Sequence, residues 1–199
     1  MNAPYRPRPS SRPAPTRLAG FTLVELMISI AVLAILLAMA VPSLREVGLN
    51  SRSSGMINTL LADLSTARSE AVKTARPTYI VAIGGDWANG WNIWTDTNLN
   101  GAQDGDEPTL KSQDPINGGY TSAETAFLLR AIEGASGGGS NVGQIAFGAQ
   151  GQTVLPSTGA RFGLCRPDGN AARSTGIQVS VAGRAQAVKG LPGLTMGCS

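Results

Sequence analysis

The sequence predicts an α+β chain in which a long N-terminal helix, apolar in its first half and amphipathic in its second, packs on an antiparallel β-sheet domain. Three observations carry this. Residues 22–41 are a nearly unbroken apolar run. From Met56 onward the apolar residues recur at three- and four-residue steps. From residue 78 onward, short β-branched and aromatic runs alternate with Gly, Asn and Asp clusters, the pattern of strands and turns. The 25 glycines and 12 prolines among 199 residues suit a loop-rich β domain better than a helical bundle.

Residues 1–20 are rich in Pro, Arg and Ser and read as a basic, disordered leader. Its four arginines fit the rule that positive flanks stay cytoplasmic. Taking them from the 16 basic residues leaves 12 against 13 acids, so the basic character of the chain belongs partly to the leader. Residues 21–41 read as a transmembrane helix. Between Thr22 and Val41 only Thr22, Glu25 and Ser29 are polar, and 20 helical residues rise about 30 Å, the thickness of a bilayer core. A carboxylate inside such a run is costly, which makes Glu25 a functional candidate. Pro42 is expected to kink or open the helix.

Residues 42–77 read as an amphipathic helix. Met56, Ile57, Leu60, Leu61, Leu64, Ala67, Ala71 and Val72 make one face, with Arg52, Asn58, Asp63, Arg68, Glu70 and Lys73 between them. Residues 51–55 are its weakest stretch, and Ala75-Arg76-Pro77 ends it. Residues 78–199 form the β-rich part. Strands are expected at 78–83, 90–95, 109–112, 126–132, 144–147, 161–165, 176–182 and 185–188. Trp91, Ile93 and Thr95 fall on one face, Gly183 allows a tight turn, and 134–140 is a flexible connection.

The chain has no histidine, which removes Ser-His-Asp and Cys-His catalysis and histidine metal sites. It has no nucleotide-binding glycine motif either, and it reads as a non-enzyme. Cys165 and Cys198 are its two cysteines. If the anchor points the domain outward, they lie in an oxidising compartment, and a disulfide is expected. It would close a loop of about 34 residues, for roughly 3–4 kcal/mol.

Residues 96–107 match the spacing of an EF-hand calcium loop, with Asp96, Asn98, Asn100, Asp104 and Glu107 at ligand positions and Gly101 at the sharp turn. A strand precedes the loop and Pro108 follows it, so an ordinary polar hairpin loop is the competing reading. No other cofactor is implied. Charge is also uneven. Residues 80–135 hold eight acids against two bases, whereas 161–199 hold five bases (Arg161, Arg166, Arg173, Arg184, Lys189) against Asp168. Two solvated faces explain this as readily as an interaction surface does.

The stretch Gly20-Phe21-Thr22-Leu23-Val24-Glu25 resembles the processing site of type IV pilins and type II secretion pseudopilins. The resemblance implies that a separate prepilin peptidase cuts between Gly20 and Phe21, and that the new N-terminal Phe21 is methylated. It also implies that Glu25 is kept for assembly, pairing with the N-terminal amine of a neighbouring subunit. A proline near position 42 is common in that family. Trp91-Asn92-Ile93-Trp94 with its Asp/Asn/Gly loop and Glu107-Pro108 is similar to the GspH/FimT branch. So are Phe162-Gly163-Leu164-Cys165, Ile177-Gln178-Val179-Ser180 and Gly183-Arg184.

The branch implies a type IV pilin-like fold, other pilins or pseudopilins as partners, and an inner-membrane anchor crossing once with the domain periplasmic. It implies either a minor pilin of a type IV pilus or a type II secretion pseudopilin. Some FimT-like members bind DNA through a Gly-Arg-x-Arg motif. Here the stretch is Gly183-Arg184-Ala185-Gln186, so the second arginine is missing. Arg184, Lys189 and Arg173 are the DNA-contact candidates, helped by Arg161 and Arg166 if the five share a face.

Overall fold

The computed structural model describes residues 20–118, 126–134, 139–170 and 173–189. The leader up to residue 19 and the Cys198 end lie outside the described residues. The chain divides into two compact units, residues 1–45 and 46–199.

In the first unit, helix α1 (Leu23–Thr74) begins immediately after Thr22. Thr22 is its N-cap: the Thr22 hydroxyl accepts the Glu25 N–H at 3.2 Å, and the Thr22 carbonyl accepts the Leu26 N–H at 3.1 Å. This uses N–H groups that the first turn leaves without helical partners. Leu26, Ile30, Leu33 and Leu37 are all exposed, as are the other large apolar residues of this stretch. A helix apolar on every side needs an apolar surround, and α1 is long and apolar enough to cross a membrane. The expected kink at Pro42 does not interrupt it, because α1 continues to Thr74. Proline removes one hydrogen bond from a ladder that helical turns on both sides maintain.

In the second unit, α1 ends where Ala75 takes a left-handed φ of 53° and the Arg76 N–H reaches the Ala71 carbonyl at 3.3 Å. This is the Schellman arrangement, which satisfies a terminal carbonyl and turns the chain. Among the described residues nine strands follow: β1 (Thr78–Ala82), β2 (Trp91–Thr95), β3 (Thr109–Gln113), β4 (Leu128–Glu133), β5 (Gln144–Phe147), β6 (Thr153–Leu155), β7 (Ala160–Cys165), β8 (Thr175–Val179) and β9 (Ala185–Lys189). The periodic pattern misses β6, whose three residues are too few to show a period.

The strands form two antiparallel sheets rather than one, in the orders β3-β2-β1-β5-β6 and β4-β7-β8-β9. Ile57, Leu60, Leu64, Ala67 and Ala71 of α1 share one core with Ile80, Ile93 and Ile145 of the first sheet and Phe162, Leu164 and Ile177 of the second. Trp87, in the β1–β2 connection, packs edge-on to Phe162 at 4.8 Å and donates its indole N–H to the Val142 carbonyl at 2.6 Å. Trp94 points to the opposite face of its sheet from Trp91 and Ile93 and stacks on Tyr79 at 4.6 Å.

The polar set of α1 is corrected at one position, Asp63, which is 1% exposed. Arg68 is exposed and donates to the Gly151 and Ala182 carbonyls at 2.8 and 3.4 Å. Arg52 is exposed and lies 5.4 Å above the Phe127 ring. Gly183 sits where Arg68 ties these turns together: φ is 77°, and a Cβ there would lie 1.8 Å from the Gly151 carbonyl oxygen. Only glycine fits that position.

Candidate functional site

The Gly20–Phe21 bond precedes the helix. Both residues are exposed and non-helical, and Phe21 is 83% exposed. A Cβ on Gly20 would touch nothing within 4 Å. The chain's own packing therefore does not require a glycine there, and any requirement comes from a molecule that reads the site. Glu25 stands in the first turn of α1, three residues after the Thr22 N-cap. A carboxylate there complements the positive end of the helix dipole, for about 0.3–1 kcal/mol at an exposed position. Its side chain is exposed, so it is free to meet another molecule.

The acidic loop is closed by its own hydrogen bonds. Asp96 accepts the N–H groups of Leu99, Asn100 and Gly101 at 2.6, 3.2 and 2.9 Å. Glu107 accepts those of Thr97, Asn98 and Asp104 at 2.5, 3.4 and 3.3 Å, together with the Thr97 hydroxyl at 3.0 Å. Asp104 accepts the amides of Asn98 and Asn100, each at 2.6 Å. The oxygens counted as calcium ligands are thus engaged by N–H donors. Among the described residues, no cluster of three or more acidic, histidine or cysteine side chains is placed to hold a metal. Burial opposes ionisation of Glu107, but the N–H groups of Thr97 and Asp104 outweigh it and hold the carboxyl below 4.5.

The basic candidates do not gather on one face. Arg184 stands immediately before β9 and Lys189 closes it, so about 17 Å of chain separates them. Arg184 lines a groove of about 510 Å³ with Arg68, Ser69, Val72 and Lys73 of α1. Arg173 and Lys189 line a different cavity. Arg166 is withdrawn from any surface role. It is 3% exposed, donates to Glu46 at 3.0 Å and Asn50 at 2.6 Å, and forks onto Asp168 at 3.2 and 2.8 Å. Arg173 also pairs with Glu46. A guanidinium is buried only when carboxylates satisfy it, and the run of bases conceals this pairing because Glu46 lies 120 residues away.

Hydrogen bonding from Arg166, and then from Arg173, holds the Glu46 carboxyl below 4.5. A carboxyl depressed on folding adds stability that is present above its unfolded value and is lost as pH falls through the folded one. Urea unfolding of the detergent-solubilised chain should therefore give constant stability from about pH 6 to about pH 5 and a decline on further acidification. Arg166→Met should flatten that decline. An unchanged acid slope in the variant would show that Glu46 does not contribute to it.

In the sequence Asp63 counts only among the polar residues of α1, and its buried role is not foreseen there. Its carboxylate accepts the Trp91 indole N–H at 2.9 Å and pairs with Lys111 on β3. Two signals pointed to it: it falls three residues after Leu60 on the buried stripe, and a buried tryptophan needs an acceptor. Cys165, at the end of β7, is 5% exposed and disulfide-bonded.

Comparison with known proteins follows the same lines. Residues 56–183 match the family profile described as type II transport protein GspH, and residues 16–41 match the prokaryotic N-terminal methylation motif. Comparison with curated protein sequences yields no match. Among solved structures, the chain is similar to the Pseudomonas aeruginosa type IV minor pilin FimU, at 25% identity and a TM-score of 0.55, over 78% of this chain and 98% of that one. A second crystal form of FimU gives 24% identity and a TM-score of 0.53, over 73% and 99%. The Vibrio cholerae minor pseudopilin EpsH gives 10% identity and a TM-score of 0.49, over 69% and 97%.

Proposed function

The chain belongs to the GspH family of type II transport proteins, a family of pilin and pseudopilin filament subunits, and within that family we propose that it is a FimT-like minor pilin. It is cut between Gly20 and Phe21 by a prepilin peptidase, methylated at Phe21, and joins or starts a type IV pilus. Before assembly it is held in the inner membrane by residues 21–41, with residues 78–199 in the periplasm. Cys165 bonds to Cys198 there. It is a structural subunit and not an enzyme.

One observation carries this reading. An exposed, non-helical Gly20–Phe21 bond stands directly before a helix that is apolar on every exposed side and carries Glu25 in its first turn. The likeness to FimU supports the pilus over the secretion pseudopilus, and the family's description supports the secretion alternative. Deleting the coding region and scoring surface pili and protein secretion in parallel tests the choice. Loss of pili with secretion intact is the expected result. Loss of secretion with pili intact would replace the pilus by the pseudopilus.

A second reading, DNA contact during uptake, is favoured by the groove that gathers Arg68 and Arg184 beside Lys73, which is itself paired with Glu70 at 3.2 Å. Arg68 meets backbone carbonyls there, so the hydrogen bonds given above leave its charge uncompensated. Arg184→Ala is expected to weaken duplex DNA binding by about 3–10-fold and to lower the salt dependence by roughly one ion. A gel shift that is the same for both proteins would remove Arg184 from the contact.

A further inference from the structure

Ser53 interrupts the buried stripe of α1. It lies four residues before Ile57 and, at 3% exposure, on the same covered face as Ile57, Leu60 and Leu64. Its hydroxyl has no hydrogen-bond partner. Other buried hydroxyls are satisfied: Thr78 meets Thr95 at 3.1 Å, Thr153 donates to the Ser180 carbonyl at 2.8 Å, and Ser174 donates to that of Asn170 at 3.1 Å. A buried polar group without a partner is rare enough to need a reason.

Ser53 lines a cavity of about 400 Å³ with Asn50, Ser54, Arg173, Thr175 and Lys189. One wall is α1, and the other is the start of β8 and the end of β9, which are paired through Thr175 and Lys189. The charges around it do not cancel. Arg166 and Arg173 are matched by Glu46 and Asp168, whereas no carboxylate among the described residues pairs with Lys189. Two residues that line the cavity therefore lack a partner among the described residues: the exposed Lys189 has no carboxylate, and the Ser53 hydroxyl has no hydrogen bond.

We propose that this cavity binds a phosphate-class oxyanion, held by the Lys189 ammonium and the Ser53 hydroxyl with Ser54, Thr175 and the open side of Arg173 around it. One tetrahedral oxyanion supplies both missing partners. The hydroxyls of Ser53, Ser54 and Thr175 with two cations offer more donors than the two oxygens of a carboxylate accept. The volume admits a phosphate and the first atoms of an ester substituent. The site lies at the opposite end of β9 from the groove of Arg184 and takes in Arg173 and Lys189, two of the three DNA-contact candidates of the sequence.

The test uses the full-length protein in detergent, titrated with inorganic phosphate against chloride at equal ionic strength, with Tm and heat of binding as readouts. A phosphate-specific rise in Tm is expected, with Kd of roughly millimolar order. Ser53→Ala should leave the Tm of the unliganded protein unchanged or raised, because it deletes a hydroxyl that bonds nothing, yet weaken phosphate binding about 5–10-fold. Lys189→Gln should weaken it about 10-fold. A thymidine dinucleotide distinguishes the source: binding as tight as phosphate assigns the site to phosphodiesters, and phosphate binding alone assigns it to free or terminal phosphate. No phosphate-specific effect, or an effect of equal size in all three proteins, would overturn the proposal.

Discussion

Glu25→Gln is expected to reduce incorporation into sheared filaments by about 30-fold or more, while the chain still reaches the membrane and is still cut after Gly20. The magnitude separates two roles for the carboxylate. As a charge near the helix N-terminus, three residues from the Thr22 N-cap, it contributes about 0.3–1 kcal/mol, and its loss changes an equilibrium about fivefold at most. As the partner of an N-terminal amine in a bundle that excludes water, its loss costs about 2–5 kcal/mol, a factor of roughly 30 to several thousand. Glutamine keeps the length and the helix propensity, so only the charge is tested. The measurement is an immunoblot of filament and membrane fractions, with the size of the membrane form reporting the cut. Incorporation within a few-fold of the native chain would leave Glu25 as a helix-end charge and nothing more.

Lys111→Met is expected to destabilise the second unit by about 2–3 kcal/mol, near the lower end for breaking a buried pair. Asp63 is 1% exposed and Lys111 is 44% exposed, so water reaches one side of the pair and weakens its loss. The Asp63 carboxylate would keep the Trp91 indole as its hydrogen-bond donor and lose its counter-charge. For a domain of this size the fall corresponds to a Tm lower by roughly 5–10 °C. Asp63→Asn added to Lys111→Met should recover more than half of it. The amide remains an acceptor for Trp91, and no charge is left buried. If the double variant melts no higher than the single one, the cost arises from lost packing of the lysine stem and not from the charge.

These two sites differ in how visible they are in the chain. Glu25 is legible because every residue that gives it meaning is a near neighbour: the Gly20–Phe21 bond, Thr22 and the apolar run to Val41. The amphipathic stripe of α1 and most strands are legible for the same reason, since a period of 3.6 or 2 is a local property. Asp63 is not. Its partners, Trp91 and Lys111, lie 28 and 48 residues away. A charged residue between apolar ones reads as outward-facing unless its partner is known. Arg166 repeats the lesson from the other sign: it looks like one of five bases on a basic face, and Glu46 and Asp168 bury it.

The sequence by itself determined the α+β class, the long N-terminal helix with its apolar first half, and the place of Glu25 in that helix's first turn, because each rests on residues within one or two helical turns or one strand. The tertiary structure decided that the strands form two sheets, that Arg184 is parted from Arg173 and Lys189, and that the acidic loop closes on itself. It also placed Ser53 and Lys189 on the walls of one cavity. Strand order, ion pairing and cavity walls join residues far apart in the chain, and no local period records which distant partner a side chain meets.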